Sequence, residues 1–198
     1  MHYYHALQAL RTESGSDWVA SVEIAKQLNL DDSQVRRDLG RVGLRGHPRM
    51  GFRFQEVEEV IREVMGLDRT WNAVMIGVGR LGSALASYTG FSPYGLQIVG
   101  LFDNDPAKTD TVVADRQVKH LDTLSSFLQG ESVDIGVITV SSGGAQHAAD
   151  LLVSGGVRAL WNFAPVNVDV PENIFVRREH ISVGLGELTY TLKHRFMM

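Results

Sequence analysis

The spacing of apolar positions changes character near residue 70. Before that point they recur three or four apart, the period of an amphipathic helix. Beyond it they gather into short unbroken runs, the mark of buried parallel strands, separated by helical stretches. In the first part, Leu7 and Leu10 belong to a helix over residues 3–11, followed by a polar loop over 12–17. Ser21 is placed to cap a helix over 22–28, and Asp31 or Asp32 to cap one running from Ser33 to about Arg41. Two short helices joined by Asn29-Leu30-Asp31 predict a helix-turn-helix. In the second of them Val35 and Leu39 turn to the core, which leaves Ser33, Gln34, Arg36, Arg37 and Arg41 on the outward face that a recognition helix presents to a major groove. Gly43, Gly46, Pro48 and Gly51 then end helix formation and predict a hairpin, or wing, bearing Arg45, His47, Arg49 and Arg53. A last helix over 55–66 sets Val57, Val60, Ile61 and Val64 on one face and stops at Gly66.

Past the boundary the pattern alternates. Strands are predicted over 73–76, 96–102, around Val118, over 133–140 and over 158–163, with helices over 81–88, 121–128 and 145–154. Such alternation predicts a Rossmann-like α/β fold with a doubly wound parallel sheet, whose ligands meet the carboxyl ends of the strands. The closing segment, 181–195, carries Leu185, Leu188 and Leu192 as a helical seam for some partner surface. The expected organisation is a winged helix-turn-helix over 1–68, a nucleotide-binding domain over 69–180 and a C-terminal helix over 181–198.

Composition adjusts this picture in three ways. With 198 residues and 44% hydrophobic content, two small domains can each bury a core. The absence of cysteine removes disulfides, thiolate chemistry and cysteine-rich zinc sites, and the seven histidines show no metal-ligand spacing, so no metal is expected. No apolar run approaches the ~20 residues of a membrane span, and Met-His-Tyr-Tyr-His is no signal peptide, so a soluble cytoplasmic protein without a membrane partner is expected. The net charge of −4 argues against nucleic acid, but it hides Arg36, Arg37, Arg41, Arg45, Arg49 and Arg53 set against the single acid Asp38. Arginine suits phosphate and guanine because its planar fork bonds two acceptors at once.

The candidate chemistry lies in Val74-Met-Ile-Gly-Val-Gly-Arg-Leu-Gly82. Gly77, Gly79 and Gly82 stand in the G-x-G-x-x-G spacing, which permits a tight strand-to-helix turn, a close approach to a pyrophosphate and close helix packing; Val78, Arg80 and Leu81 complete the loop. The spacing alone also fits an ordinary glycine-rich turn. Roughly twenty residues further on, Asp103 ends the next strand where a carboxylate accepts from an adenosine ribose, a position that favours NAD over NADP. The Asn104-Asp105-Pro106 that follows allows a turn acid instead. Further strand ends at Thr139, Val140 and Ser141, and at Asn162, Phe163 and Pro165, complete the candidate cofactor site. No acid/base pair accompanies it, and too little chain follows Val176 for a substrate domain, so an enzyme is not expected; an NAD-dependent dehydrogenase is the rival reading.

In combination these residues resemble the Rex family of redox-sensing transcriptional repressors. The resemblance is carried by Gln34-Val-Arg-Arg-Asp-Leu39, Gly66-Leu-Asp-Arg-Thr-Trp71, the glycine loop, Tyr88-Thr-Gly-Phe91, Phe102-Asp-Asn-Asp-Pro106, Ala145-Gln-His-Ala-Ala-Asp150 and Asn162-Phe-Ala-Pro165, spread over essentially the whole chain. It implies a homodimer that exchanges C-terminal helices, with NADH or NAD⁺ as a regulatory ligand and NADH releasing the dimer from double-stranded operator DNA. It also implies a nicotinamide-side role for Tyr88. The chain departs from the pattern in its wing, in Ser141 where proline is frequent, and in His2 and His180 where the family has an arginine and an aspartate that pair. Two histidines do not make that ion pair, so a relative that binds nucleotide and dimerises without normal switching is the alternative.

Overall fold

The computed structural model describes residues 1–196, the Ile181 side chain apart. The chain forms two compact units, Met1–Thr70 and Trp71–Met198.

The first unit runs α1 (His2–Ser14), β1 (Trp18–Val19), α2 (Ser21–Leu28), α3 (Asp32–Arg41), β2 (Phe52–Arg53) and α4 (Phe54–Val64). Leu7, Val19, Ile24, Val35, Leu39, Phe52, Phe54 and Val57 are buried together as its apolar set. Asp31 caps α3, accepting the Ser33 N–H at 2.8 Å. Three expectations need correction. Ser21 does not cap α2 but is its first residue; the cap is Ala20, whose N–H is taken by the Glu23 carboxylate at 2.7 Å. Val64 does not join the buried face of α4, because it lies in the last turn and is exposed, while Phe54 at the first turn is buried instead.

The predicted hairpin is the third. It contracts to a tight turn in which His47 and Gly51 exchange backbone hydrogen bonds of 2.6 and 3.0 Å. Its outer strand pairs not with a wing partner but antiparallel with β1, Val19 opposite Phe52. At Gly51, φ is +85° and an added Cβ would run into the Val19 carbonyl oxygen, so the turn can close on β1 only without a side chain there. Gly51→Ala is accordingly expected to destabilise this unit by about 2 kcal/mol and to weaken DNA binding, with NADH affinity unchanged. Denaturant unfolding with parallel titrations checks this; equal losses of both affinities contradict it.

The second unit holds β3 (Trp71–Ile76), α5 (Arg80–Ala86), β4 (Leu96–Asp103), β5 (Val112–Val113), β6 (Arg116–His120), α6 (Leu124–Gly130), β7 (Ile135–Ile138), α7 (Ser142–Ser154), β8 (Ala159–Asn162), β9 (Phe175–Arg178) and α8 (Ile181–Phe196). The sheet order is β5-β6-β4-β3-β7-β8-β9, parallel except for β5. From β3 the chain builds outward through β4 to β6, then returns to β7 on the other side. The carboxyl ends of β3 and β7 therefore flank a topological switch point, where doubly wound sheets bind ligands. Both faces are covered: Val74, Ile76, Phe102, Ile138, Leu152 and Leu160 pack on one, and Ala73, Met75, Leu101, Val118 and Val137 on the other. Val118 is the centre of a longer strand that forms a hairpin with β5, and the predicted 121–128 helix opens as a 3₁₀ turn over Leu121–Thr123.

Leu185, Leu188 and Leu192 are 63%, 64% and 54% exposed on α8, so the predicted seam is unpartnered within the single chain. Among the described residues no helix is long and apolar enough to cross a membrane.

Candidate functional site

A cavity of about 460 Å³ opens at the switch point, a size suited to a nucleotide. Gly77 and Gly79 line it from the β3–α5 turn, Asp103, Asn104 and Lys108 from the end of β4, and Thr139, Val140, Ser141, Gly143, Gly144 and His147 from β7 and α7. Each glycine of the loop answers to a different constraint. Gly77 has φ +98°, and a Cβ there would press on the backbone at Thr139 and Val140. Gly82 is buried, and a Cβ would overlap the Gly77 carbonyl oxygen and meet Thr139 Oγ1 at 3.0 Å. A Cβ at Gly79 would meet nothing within 4 Å, which leaves clear space for a pyrophosphate to approach the backbone at the start of α5. Thr139 fastens the loop from below, donating its hydroxyl to the Gly77 carbonyl at 2.6 Å.

Asp103 is a turn acid and also a pin for the glycine loop. It is 3% exposed. Oδ1 accepts the Asp105 N–H at 2.9 Å, as a turn acid does, while Oδ2 accepts the Val78 N–H at 2.7 Å and the Lys108 ammonium at 3.0 Å. The carboxylate thus pins the glycine loop to the end of β4. Of its roughly four lone-pair sites three are engaged, leaving one on Oδ1. Burial pushes the carboxyl up, but the Asp105 and Val78 N–H groups and the Lys108 ammonium outweigh it and hold Asp103 below the ordinary carboxylate range. Because the folded value is depressed, its stabilisation is complete above the unfolded value of about 3.9 and lost as pH falls through the folded one. The stability difference between the wild type and Asp103→Asn is expected to be constant from about pH 5 to 8 and to shrink below about pH 4. Thermal melts across that range measure it, and a difference that closes near neutrality contradicts it.

The other candidate residues are distributed unevenly. Val78 is buried and enters through its backbone, whereas Arg80 and Leu81 are exposed on the first turn of α5. Tyr88 and Phe163 line a second cavity of about 370 Å³ with Leu85, Phe91, Trp161, Glu179 and His180. Its aromatic rings meet edge to face or tilted, at centroid separations of 4.9–5.3 Å. Asn162 is completely buried and commits its carboxamide to its own turn: Nδ2 donates to the Val166 carbonyl, and Oδ1 accepts the Ala164 N–H, both at 2.9 Å. Pro165 is exposed and borders neither cavity. Lys108, Gly143, Gly144 and His147 were not anticipated; the paired glycines at the start of α7, just past a strand, are the signal that could have found them.

In the first unit the arginines of α3 are engaged within the helix. Arg36 pairs with Asp32 at 2.6 Å, Arg41 with Asp38 at 3.5 Å, and Arg37 donates to Gln34 at 2.9 Å. Arg45 and Arg49 are exposed around the wing. Arg49 holds φ +66° at the tip, after Pro48. His47 packs edge-on against Trp18 at 4.9 Å, with Nε2 4.0 Å from Glu56, and the Arg53 guanidinium lies over the same indole at 5.3 Å. Among the described residues no cluster of histidine, aspartate or glutamate could hold a metal ion.

Comparison with known proteins agrees with both units. Residues 68–166 match the family model of the CoA binding domain, and residues 1–40 match that of a DNA-binding protein N-terminus. The redox-sensing transcriptional repressor Rex of Clostridium botulinum (strain Alaska E43 / Type E3) is 37% identical over 189 residues, 96% of this chain and 90% of the relative. Two crystal structures of RSP, a Rex-family repressor, superpose over 98% of the chain. The complex with β-NAD⁺ and operator DNA gives a TM-score of 0.89 at 31% identity and 89% coverage of that chain. The complex with β-NADH gives 0.85 at 30% identity and 91% coverage. With relatives of this similarity along nearly its whole length, and with residues 68–166 forming a domain of the CoA-binding family, the chain belongs to the Rex family of redox-sensing transcriptional repressors.

Proposed function

We propose that this chain is a transcriptional repressor that reads the NADH/NAD⁺ balance and leaves its operator when NADH binds. The observation that carries the reading is the cradle at Gly77–Gly82: a loop pinned by Asp103, open above Gly79, with one acceptor spare for a ribose. The chain is not an enzyme, and the nucleotide is its signal. The glycine loop and α5 take the pyrophosphate, Asp103 the adenosine ribose, and the aromatic cavity at Tyr88 and Phe163 the nicotinamide end, where the two redox states differ in charge and ring shape. Domain roles follow the division 1–68 for DNA, 69–180 for nucleotide and 181–198 for dimerisation, in the cytoplasm.

A ligand shifts an equilibrium only through its differential affinity for the two states. A dimer supplies those states, because paired recognition helices reach successive major grooves only when about 34–36 Å apart. The exposed Val183, Leu185, Leu188 and Leu192 of α8 support a second copy of this chain as the partner of that helix, since an isolated helix of this length is marginal in water. His180 in the aromatic cavity supports a second reading, in which nucleotide binds without switching. Sedimentation of labelled operator with the protein separates the two. With NAD⁺ a ternary complex is expected, and with NADH free DNA; equal complex formation with both establishes the second reading.

A further inference from the structure

The three arginines of α3 are held in unlike ways. Arg36 and Arg41 are ion-paired with Asp32 and Asp38, so part of their charge is compensated inside the helix. Arg37 donates through Nη2 to the neutral side-chain oxygen of Gln34, and among the described residues no carboxylate lies within ion-pairing distance of it. Gln34 is fixed in turn, its Nε2 donating to Asp38 Oδ1 at 2.8 Å. The other oxygen of Asp38 accepts the Tyr3 hydroxyl, from α1, at 2.9 Å.

Every bond direction in this chain is forced. A carboxylate only accepts and a guanidinium only donates, so the Gln34 carboxamide must turn its nitrogen to Asp38 and its oxygen to Arg37. Burial, together with the bond to Asp38, pushes the Tyr3 hydroxyl up to about 12, and bonds from Gln34 and Tyr3 hold Asp38 below the usual carboxylate range. The donor and the acceptor therefore keep these roles throughout the physiological range. Arg37 reaches the outer face of α3 with one N–H committed to Gln34 and, among the described residues, no carboxylate bonded to it, and with part of its rotamer freedom already removed. Fixing a side chain before binding reduces the ordering cost of the complex.

We infer that Arg37 is the base-reading residue of α3, presented to the O6 and N7 of a guanine by the Tyr3–Asp38–Gln34 chain, an assignment that rests on the DNA-binding reading above. Tyr3 is a positioning residue, and Arg36 and Arg41 serve phosphates. Arginine and guanine are matched because both present two groups in one plane.

The probe is the duplex that the full-length protein selects from a randomised-sequence pool, together with versions in which each guanine in turn is replaced by 7-deazaguanine, which pairs normally but lacks N7. The wild type is expected to lose about tenfold or more at one guanine of each half-site. Arg37→Ala removes the fork: it is expected to bind the unmodified duplex about tenfold more weakly and to be indifferent to 7-deazaguanine at that position. Tyr3→Phe is expected to lose about threefold on the unmodified duplex and nothing on the modified one, with NADH affinity as in the wild type. Arg36→Lys should retain full sensitivity at that guanine. The assignment is overturned if Arg37→Ala keeps that sensitivity, or if Tyr3→Phe loses equally on both duplexes. If the wild type does not prefer the selected duplex to a scrambled one, the DNA-binding reading itself fails and takes the assignment with it.

Discussion

Gly82→Ala is expected to destabilise the second unit by about 3 kcal/mol and to remove measurable NADH binding, while the first unit keeps its own unfolding transition. Gly82 is buried in the first turn of α5, and the atoms a Cβ would strike are the backbone oxygen of Gly77 and the hydroxyl of Thr139. Neither is the free end of a flexible side chain. The Gly77 carbonyl also accepts that hydroxyl at 2.6 Å, so relief by moving α5 outward would break the bond that seats the loop on β7. The displaced loop would in turn carry the Val78 N–H away from Asp103. Urea unfolding with NADH fluorescence titration measures both effects. A variant that binds NADH within about threefold of the wild type would mean that close packing here is not what shapes the site.

Asp103→Ala carries the second large expectation, a loss of about 100-fold in NADH affinity with about 2–4 kcal/mol of stability. The carboxylate joins three parts of the site: the Val78 N–H, the Asp105 N–H and the Lys108 ammonium. Truncation leaves two N–H groups and a cation without their acceptor, in addition to removing the proposed ribose contact. Asp103→Asn keeps an oxygen and is expected to lose about tenfold, because its NH₂ only donates and accepts from neither Val78 nor Lys108. The order wild type, Asn, Ala in affinity, obtained by calorimetry, is the check. If alanine matches asparagine, Asp103 contributes charge alone and not the pinning bonds.

Much of this arrangement was legible in the sequence because it is local. The glycine loop joins a strand to the helix that follows it, Asp103 ends the next strand, and the Asp31 cap precedes α3 directly. What escaped prediction depends on pairing across the chain or on how a side chain spends its bonds. β1 has two residues and is a strand only because Phe52 and Arg53 return to it, and β9, at the sheet edge, shows only Phe175 and Val176 as apolar signal. Asn162 stands at a strand end where ligands bind, yet its carboxamide closes its own turn, which a sequence position does not disclose. Lys108 gives the opposite case, a surface-type residue drawn into the cavity by Asp103. With Lys108 at 3.0 Å, the Asp103 carboxylate is one half of an ion pair and not the bare charge that its place in the sequence suggests.

The central claim joins the two units through one ligand, and operator affinity at fixed salt and fixed total nucleotide tests it most directly, with NADH replacing NAD⁺ stepwise. Salt must be held constant because phosphate contacts make affinity steeply ionic-strength dependent. A coupling of about 1–3 kcal/mol, ordinary for such switches, predicts that affinity falls about 5- to 150-fold as NADH replaces NAD⁺. An affinity that stays constant across the whole exchange, with NADH binding itself demonstrated, would contradict the redox-sensing account while leaving the fold and the nucleotide site in place.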